Sequence, residues 1–322
     1  MTKTGVSDVL RPVAMLGLGT MGHGIAQTFA LAGYSVRCYD EQLAARRSTI
    51  DRVARNLKAF VEAGLLNGAE VPQVLGRIEV HESLPETVQG CGFVTEAIFE
   101  DLALKQDFLR RLEPFLADDA IVASNSSSFP VSQSASGMQN RQRAIVTHWF
   151  NPPHLVPLVE VVPSVETSEV VIERTMAYLR AIGKRPVRLK KELPGFLINR
   201  IQVALMREIW DLVDQDVASP EEIDAAVQDS MGFRLNCMGP LEIYDFGGLD
   251  IQSIVYQILV REIRGGTDLP GSIKRLVEQG QLGAKTGQGF HTYSPERFAR
   301  RIERRDRLFL EQTKRRHDES ND

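Results

Sequence analysis

The stretch PVAMLGLGTMGHGIAQ, residues 12–27, predicts how the fold begins. Its apolar start, Pro12–Leu16, is typical of a buried strand, and Gly17, Gly19 and Gly22 follow in the spacing G-x-G-x-x-G. Apolar residues then recur at helical spacing: Ile25, Ala26, Phe29, Ala30 and Ala32. A strand, a glycine turn and a helix in this order form the dinucleotide fingerprint, in which the glycines permit a tight turn, close approach of a pyrophosphate and close packing of helix and strand.

A second apolar run, Ser35–Tyr39, ends in Asp40, 23 residues after Gly17. The fingerprint places a carboxylate for the adenine ribose hydroxyls at about this distance, roughly 20 residues on. A carboxylate there repels a 2′-phosphate, so the sequence predicts NAD and not NADP as the cofactor. Thr20 and Met21, inside the glycine turn, are expected to contact it, because the start of a helix attracts phosphates.

The stretch THWFNPPHLVPLVE, residues 147–160, sets His148 twelve residues before Glu160, with two consecutive prolines, Pro152 and Pro153, between them. Two apolar segments, Ala144–Thr147 and Leu158–Val162, read as adjacent strands joined by a rigid turn, which could bring the two side chains within reach. An imidazole held by a carboxylate can remove a proton near neutral pH. Taken alone, the pair could equally be a strand-end histidine and a solvated glutamate.

With these motifs placed, the chain resembles the L-3-hydroxyacyl-CoA dehydrogenase family from Pro12 to about Tyr293. Seven motifs carry the resemblance: GLGTMGHGIAQ at 17–27, TEAIFEDLALKQ at 95–106, SNSSS at 124–128, HWFNPPHLVPLVE at 148–160, PGFLINR at 194–200, MGPLEIYDFGGLD at 238–250 and LGAKTGQGF at 282–290. The resemblance implies an NAD-dependent dehydrogenase that acts on a CH–OH group.

The resemblance also implies catalytic roles. His148 would be the base, Glu160 would orient it, and Ser127 and Asn199 would bond the reacting oxygen. Oxidising an alcohol needs a proton acceptor while the carbon-bound hydrogen leaves as hydride, and hydroxyl and amide donors can stabilise the alkoxide. Two alternatives remain open: Ser127 could cap the segment after Phe129, and Asn199 could be a capping or turn residue.

Four further residues enter through the resemblance alone. Glu100 and Lys105 would lie beside the nicotinamide ribose, and Asn125 and Asn151 would line the same pocket. The chain offers no motif for a metal centre, because its three cysteines lie far apart with no CxxC spacing.

The substrate is where the chain departs from the acyl-CoA enzymes. Those enzymes carry lysines near the position of Glu62 and Ala63, on the helix after the second strand, and the lysines contact the CoA phosphates. In this chain Arg55 and Lys58 remain on that helix. The long turn from Gly232 to Pro240 and the paired prolines after Asn151 look more like relatives that act on free acids, namely L-gulonate 3-dehydrogenase (lambda-crystallin) and a pyridine-carboxylate dehydrogenase of vitamin B6 breakdown.

Arg234, in that long turn, could grip a substrate carboxylate with its two-pronged guanidinium, or it could be an ordinary surface arginine. Against the free-acid reading, LGAKTGQGF is a feature that the acyl-CoA enzymes have and lambda-crystallin lacks. A free 3-hydroxy acid is the first substrate prediction, a short-chain 3-hydroxyacyl-CoA the second. A catalytically idle crystallin-like or NAD-binding protein is the alternative of another class.

The pattern of elements predicts an α/β fold: a Rossmann-type doubly wound sheet over residues 1–193 and an all-helical domain over 194–322. We expect strands near Pro12–Leu16, Ser35–Tyr39, Arg77–His81, Gly92–Glu96, Ala120–Ser124, Ala144–Thr147, Leu158–Val162 and Pro186–Lys190. The helices expected are Leu43–Leu75, broken near Gly64 and Gly68, then Phe196–Gln215, Pro220–Gly232, Pro240–Arg264 and Gly271–Gly280. The resemblance implies a homodimer through the C-terminal helices.

The overall composition limits the kinds of partner that can be expected. The composition is 43% hydrophobic and 25% charged with a net charge of −4, which is ordinary globular character. No apolar run approaches the roughly 18–20 residues of a membrane span, and residues 1–12 lack the apolar core of a signal peptide, so a cytoplasmic protein is expected. Arginines after Pro295 are interleaved with acids, which favours a solvated helix and no nucleic-acid site.

Overall fold

The computed structural model describes residues 11–319, which form two compact units. The first unit runs to Asn199 and takes in the chain again from Asp306, and the second is Arg200–Arg305. The first ten residues, where no signal-peptide core was found, lie outside the described residues. The boundary between residues 193 and 194 stays a prediction.

The first unit is built on one eight-stranded sheet, in the order β3-β2-β1-β4-β5-β6-β7-β8. Its strands are β1 Val13–Leu16, β2 Val36–Tyr39, β3 Ile78–Val80, β4 Phe93–Glu96, β5 Ile121–Ser124, β6 Ala144–Trp149, β7 Leu158–Val162 and β8 Arg185–Arg188. All neighbours are parallel except β6 and β7, which are antiparallel. The predicted mainly parallel, doubly wound sheet is therefore confirmed, with every strand within two residues of its predicted ends.

Helices connect these strands. They are α1 Gly22–Leu31, α2 Leu43–Glu62, α3 Val71–Leu75, α4 Leu84–Val88, α5 Leu102–Leu112, α6 Val131–Ser134 and α7 Glu169–Ala181. The predicted break after α2 is present: Gly64 has a φ of 73°, and a short 3-10 turn, Gly68–Glu70, precedes α3. Asp101 fixes the start of α5 by accepting from Leu104 N at 2.8 Å.

The core lies on both faces of the sheet, as a parallel sheet covered by helices requires. Strand β1 shows the alternation: Val13 and Met15 pack into the cluster on one face, and Ala14 and Leu16 into the cluster on the other. Because both faces of β1 are buried, its sequence is a continuous apolar run. The glycine turn that follows β1 therefore starts from a strand that is packed on both sides.

The second unit is helical, which confirms the predicted C-terminal class. Its helices are α8 Ile198–Asp214 (which begins at the end of the first unit), α9 Pro220–Val227, α10 Phe233–Leu235, α11 Pro240–Gly247, α12 Leu249–Leu259 and α13 Gly271–Glu278. The single helix predicted over Pro240–Arg264 is wrong. Gly248 interrupts it with a φ of 84°, a backbone conformation that a right-handed helix does not contain.

The last helix, α14 Pro295–Glu319, is present as predicted, but it is not solvated on all sides. Leu310 is 7% exposed and packs against Phe60 of α2 and against Leu155. Phe309 packs against the same cluster, so an apolar pair within the charged sequence gives the helix a buried face. Within the described part of the chain, no helix has the length and apolar character needed to cross a bilayer.

Candidate functional site

The glycine turn between β1 and α1 is shaped by contacts that leave no room for side chains. Gly17 has a φ of +89°, and a Cβ there would lie 2.6 Å from the carbonyl oxygen of Ala97. A Cβ on Gly22 would lie 1.8 Å from the carbonyl oxygen of Gly17. A Cβ on Gly19, in contrast, would meet nothing within 4 Å. The first and third glycines therefore set the fold of the turn, and the second keeps its surface open for a ligand.

Asp40 closes the other side of this turn. Its Oδ2 accepts from Leu18 N at 2.6 Å, and its Oδ1 accepts from Gln42 N at 2.8 Å. Each carboxylate oxygen has a further lone pair for a ribose hydroxyl. A cleft of about 350 Å³ opens here, lined by Gly17, Gly19, Tyr39, Asp40, Glu41, Gln42, Ala45, Ala97, Ile98, Phe99, Leu104 and Phe108. The residues present fit the adenosine half of NAD. Among the residues that line this cleft, the sequence had predicted only Gly17, Gly19 and Asp40 as cofactor contacts.

A buried charge cluster at the end of β4 went unnoticed in the sequence. Glu96 is fully buried, and both of its carboxylate oxygens accept from Lys105 Nζ at 3.1 Å. Ser124, at the end of β5, also donates to Glu96. Glu96 and Ser124 lie at the carboxyl ends of parallel strands, where ligands bind in open α/β sheets. That position in the sequence could have marked them as candidate site residues. Lys105 is thus 1% exposed and forms an ion pair with the buried Glu96.

Glu100 organises the SNSSS loop after β5. Its Oε1 accepts from Ser126 Oγ at 2.8 Å, from Ser127 N at 2.9 Å and from Ser128 N at 3.0 Å. Lys105 Nζ lies 3.3 Å from its other oxygen. Burial alone would raise the pKa of Glu100, but the Lys105 charge and these hydrogen bonds outweigh it and hold the pKa below its usual value. Glu100 is thereby kept as a carboxylate that fixes the position of Ser127.

His148 and Glu160 face each other across the antiparallel strands β6 and β7, as direct register partners. His148 Nδ1 lies 2.7 Å from Glu160 Oε2, and both side chains are buried. A carboxylate accepts hydrogen bonds, so Nδ1 carries a proton and donates, and in the neutral form of the ring the lone pair is on Nε2. The reading of a solvated glutamate is wrong, because Glu160 is fully buried.

The second oxygen of Glu160 is held by the start of α8. Its Oε1 accepts from Leu197 N at 3.1 Å and from Ile198 N at 2.8 Å. The chain reaches this geometry through Phe196, whose φ is 53° and whose side chain is buried. Left-handed backbone at a large residue is costly and is retained mainly at functional sites. The Phe196 ring also lies 5.5 Å from the His148 ring.

Asn199 and Ser127 are in contact. Asn199 Nδ2 donates to the carbonyl oxygen of Ser127 at 3.1 Å, and Ser127 Oγ lies 3.3 Å from Glu100 Oε1. The capping alternatives are wrong. Ser126 Oγ, and not Ser127, accepts from Phe129 N, and Asn199 lies inside the first turn of α8 with its amide on another loop.

The remaining candidates are placed as follows. Asn125 Oδ1 accepts from Trp149 N at 2.9 Å, which ties it to the end of β6. Asn151 is exposed at the start of the loop after β6, and its peptide bond to Pro152 is cis. Arg234 belongs to the second unit, where its exposed guanidinium donates to Ser230 O at 3.3 Å.

The loop that begins at Asn151 is anchored from two sides, neither of which the sequence suggested. Lys184 Nζ donates to Pro153 O at 2.6 Å and to Val156 O at 2.9 Å. Burial lowers the pKa of Lys184 to about 7. On the other side the loop rests on α1, because a Cβ at Gly24 would lie 2.8 Å from Pro153 Cγ.

Comparison with known proteins gives matches over almost the whole chain. The NAD-binding domain of 3-hydroxyacyl-CoA dehydrogenase matches residues 12–193, and the C-terminal domain of 3-hydroxyacyl-CoA dehydrogenase matches residues 195–293. Helix α14 therefore follows the part of the chain that the two domain models match.

A 5-formyl-3-hydroxy-2-methylpyridine 4-carboxylate 5-dehydrogenase of Mesorhizobium japonicum is 32% identical over 290 residues, 89% of this chain and 92% of that protein. A probable 3-hydroxybutyryl-CoA dehydrogenase of Bacillus subtilis is 34% identical over 88% of this chain and 98% of its own. A crystal structure of a 5-formyl-3-hydroxy-2-methylpyridine 4-carboxylic acid 5-dehydrogenase, described as an NAD+-dependent dismutase, has 30% identity and a TM-score of 0.87, covering 94% of this chain and 96% of that chain.

Proposed function

Because the chain belongs to the 3-hydroxyacyl-CoA dehydrogenase family and is an NAD-dependent dehydrogenase, we propose that it oxidises the hydroxyl group of a small free 3-hydroxy acid, with His148 as the base. The observation that carries the proposal is the buried contact of 2.7 Å between His148 Nδ1 and Glu160 Oε2. It leaves His148 Nε2 as the unoccupied proton acceptor of the pair.

Proton removal is the step that this chain's own residues perform. Nε2 takes the hydroxyl proton, and the positive charge that forms on the ring is stabilised by Glu160 through Nδ1. Glu160 cannot turn away, because Leu197 N and Ile198 N hold its second oxygen. Phe196 packs beside the imidazole, and both members of the pair are buried.

The reacting oxygen needs donors once its proton has left. The second hydrogen of Asn199 Nδ2 would supply one, and Ser127 Oγ would supply another by turning its hydrogen from Glu100 Oε1 to the reacting oxygen. The bond from Asn199 Nδ2 to the backbone carbonyl of Ser127 holds the two residues together. Glu100 fixes the serine from behind through the backbone of Ser127 and Ser128. When bound, NAD supplies the hydride acceptor. The products are a ketone, NADH and the proton left on His148.

The free acid is supported by the surface around Ala63, where acyl-CoA enzymes carry phosphate-binding lysines. In this chain Ala63 and Phe60 belong to the cluster on which α14 packs. Lys58, the nearest lysine on α2, lies 3.7 Å from Glu62 in an exposed ion pair. A CoA phosphate would meet an acid and an apolar contact on α2, while the exposed Lys314 of α14, whose Nζ would lie 3.8 Å from a Cβ on Gly64, is a positive charge beside them.

A short-chain 3-hydroxyacyl-CoA is the second candidate substrate. The similarity to the 3-hydroxybutyryl-CoA dehydrogenase of Bacillus subtilis, at 34% identity, favours it, as does the retained motif LGAKTGQGF at 282–290. Arg55 is exposed on α2 and provides a single positive charge.

The test measures NADH formation with free 3-hydroxybutyrate, gulonate and hydroxymethyl-pyridine carboxylic acids against 3-hydroxybutyryl-CoA. We expect at least one free acid to be oxidised with a kcat/KM comparable to or above that of the thioester. A thioester preferred by orders of magnitude would overturn the free-acid proposal. If a protein that binds NADH reduced NAD with neither class, the proposed oxidation itself would be wrong.

We further propose that α11 and α12 pair with a second copy of the chain. These helices carry apolar side chains that are more than half exposed, namely Leu241, Phe246, Leu249, Ile254, Tyr256 and Ile258. Exposed apolar surface of this kind marks an interaction site. Light scattering should give a mass of two chains, and Phe246→Asp with Ile254→Asp should shift it to one. A wild-type mass of one chain would contradict the proposal.

A further inference from the structure

Arg52, in the middle of α2, reaches the back of the glycine turn. Its Nη1 donates to Gly19 O at 3.1 Å, and its Nη2 donates to Leu18 O. One guanidinium therefore binds two consecutive peptide carbonyls, which its planar fork is suited to do. The side chain is half-buried, and no motif in the sequence marks it.

The direction of these two carbonyls fixes the direction of the N–H groups that follow them. In a planar trans peptide the C=O and N–H bonds point to opposite sides, and the peptides Leu18–Gly19 and Gly19–Thr20 are trans, since Asn151–Pro152 is the cis peptide in the described chain. The N–H groups of Gly19 and Thr20 consequently point away from Arg52. Across residues 11–319 neither N–H is bonded to an acceptor.

Two successive N–H groups on one side of a turn form a concavity that binds anions. The open face agrees with this use, because a Cβ on Gly19 would meet nothing within 4 Å and both Gly19 and Thr20 are exposed. Without a tie behind them, either peptide could rotate and present a carbonyl oxygen to the ligand, and an oxygen would repel a phosphate.

His23 reinforces the same carbonyl. Its Nδ1 lies 2.9 Å from Gly19 O and 3.3 Å from Arg52 Nη1, and with its proton on Nδ1, the tautomer that the shorter contact favours, it donates to the carbonyl. Burial lowers the pKa of the His23 ring, although its bond to Gly19 opposes the shift, and the nearby charges of Arg52 and Arg55 lower it further. Arg52 is accordingly the positive group at this carbonyl pair.

We propose that Arg52 is a positioning residue for the cofactor: it locks the Leu18 and Gly19 peptides so that the N–H groups of Gly19 and Thr20 face the NAD pyrophosphate, and its charge stabilises that anion through the turn. It acts through the turn and touches neither the nicotinamide nor the substrate. Substitution of Arg52 should therefore weaken the binding only of ligands that contain the pyrophosphate.

The test titrates Arg52→Met and Arg52→Lys with NADH, followed by fluorescence, and displaces NADH with ADP-ribose or with adenosine. Arg52→Met should weaken NADH and ADP-ribose by about tenfold, the factor that 1.4 kcal/mol makes, while the dissociation constant of adenosine stays within about twofold. Arg52→Lys retains the charge but cannot bond both carbonyls with one planar group, so its loss should be intermediate. Arg180→Met, an exposed arginine on α7, is the control for charge alone.

Two results would overturn the proposal. One is unchanged affinity of Arg52→Met for ADP-ribose. The other is an equal loss for adenosine and ADP-ribose, because a residue that only supports the domain would weaken both ligands alike. If Arg52→Met does not fold, the same comparison is made with Arg52→Lys, for which the loss must still be confined to the pyrophosphate ligands.

Discussion

The backbone N–H of Ile198 donates to Glu160 Oε1 at 2.8 Å, so helix α8 begins on the carboxylate that holds His148. The start of a helix carries partial positive charge and stabilises an anion. Glu160, the orienting group of the proposed catalytic pair, is therefore held by a helix as well as by the imidazole. Substitution of His148 and substitution of Glu160 should consequently lower turnover to different extents.

His148→Gln should lower kcat by about 10²–10⁴-fold, the usual contribution of a general base, and should leave the NADH dissociation constant near that of the wild type. Glu160→Gln should lose less, because it removes charge and orientation but keeps the acceptor nitrogen. Stopped-flow measurement of NADH formation gives the rates. A His148 variant that kept more than half of its turnover would show that another group accepts the proton.

Asp40→Ala should weaken NAD binding and relax its preference over NADP, because a ribose partner and a repulsive charge disappear together. Asp40→Asn is the matched variant, since its amide oxygen can still accept from Leu18 N while the charge is gone. The ratio of dissociation constants for NADH and NADPH is the measurement. Equal affinity of the wild-type protein for both cofactors would contradict the assignment.

Arg234→Ala should damage oxidation of a free acid and spare that of a thioester, since an unpaired carboxylate costs about 1.5–3 kcal/mol when its charged partner is lost. If Arg234 contacts the free acid, the change should appear in KM, because such a contact would form on binding, before reaction. Arg261→Ala, also exposed in the helical unit, serves as control. Equal kcat/KM of Arg234→Ala and the wild type for the free acid would make this arginine an ordinary surface residue.

Lys184 should make stability depend on pH. Burial lowers its pKa from 10.5 to about 7, so between these values the unfolded chain binds a proton that the folded one does not. Stability rises with pH across that window, with a slope of at most about 1.4 kcal/mol per pH unit for one proton. Urea unfolding at pH 7, 8.5 and 10 should show a flatter dependence for Lys184→Met than for Lys190→Met, whose lysine is exposed. Identical slopes would remove Lys184 as the cause.

Leu310→Ala should lower the free energy of unfolding by about 2–5 kcal/mol, the cost of truncating a buried leucine. Leu308→Ala, on the same helix but 41% exposed, should cost much less. The two variants are compared by chemical denaturation. A cost for Leu308 equal to that for Leu310 would mean that α14 does not pack on Phe60.

Local patterns predicted the dinucleotide fold and the β6–β7 hairpin, because each rests on residues close in sequence. The glycine turn follows directly from β1, and two apolar strands around paired prolines have few ways to fold other than against each other. Arg52 and Lys184 could not be found in this way. Each reaches a loop about 30 residues away in the chain, and neither a cation within a helix nor one in the turn before a strand carries any sign of the carbonyls that it will meet.

Two errors came from reading periodicity too far. The helix predicted over Pro240–Arg264 overlooked the Gly247–Gly248 pair, where the chain turns with positive φ. The tail after Pro295 was interpreted from its interleaved arginines and acids, and the apolar pair Phe309 and Leu310 that gives it a buried side was passed over.

Gly24 lies one turn into α1, and a single additional carbon there would come within 3.0 Å of both Pro153 and His154. The helix that begins at the cofactor turn and the loop that leaves the β6 hairpin are thus in direct contact, with no filler between them. The hydrogen atom of Gly24, in place of a methyl group, is what lets this helix and this loop lie so close. A larger residue at position 24 would push the loop after β6 away from α1, so this glycine determines how far the loop lies from the cofactor turn.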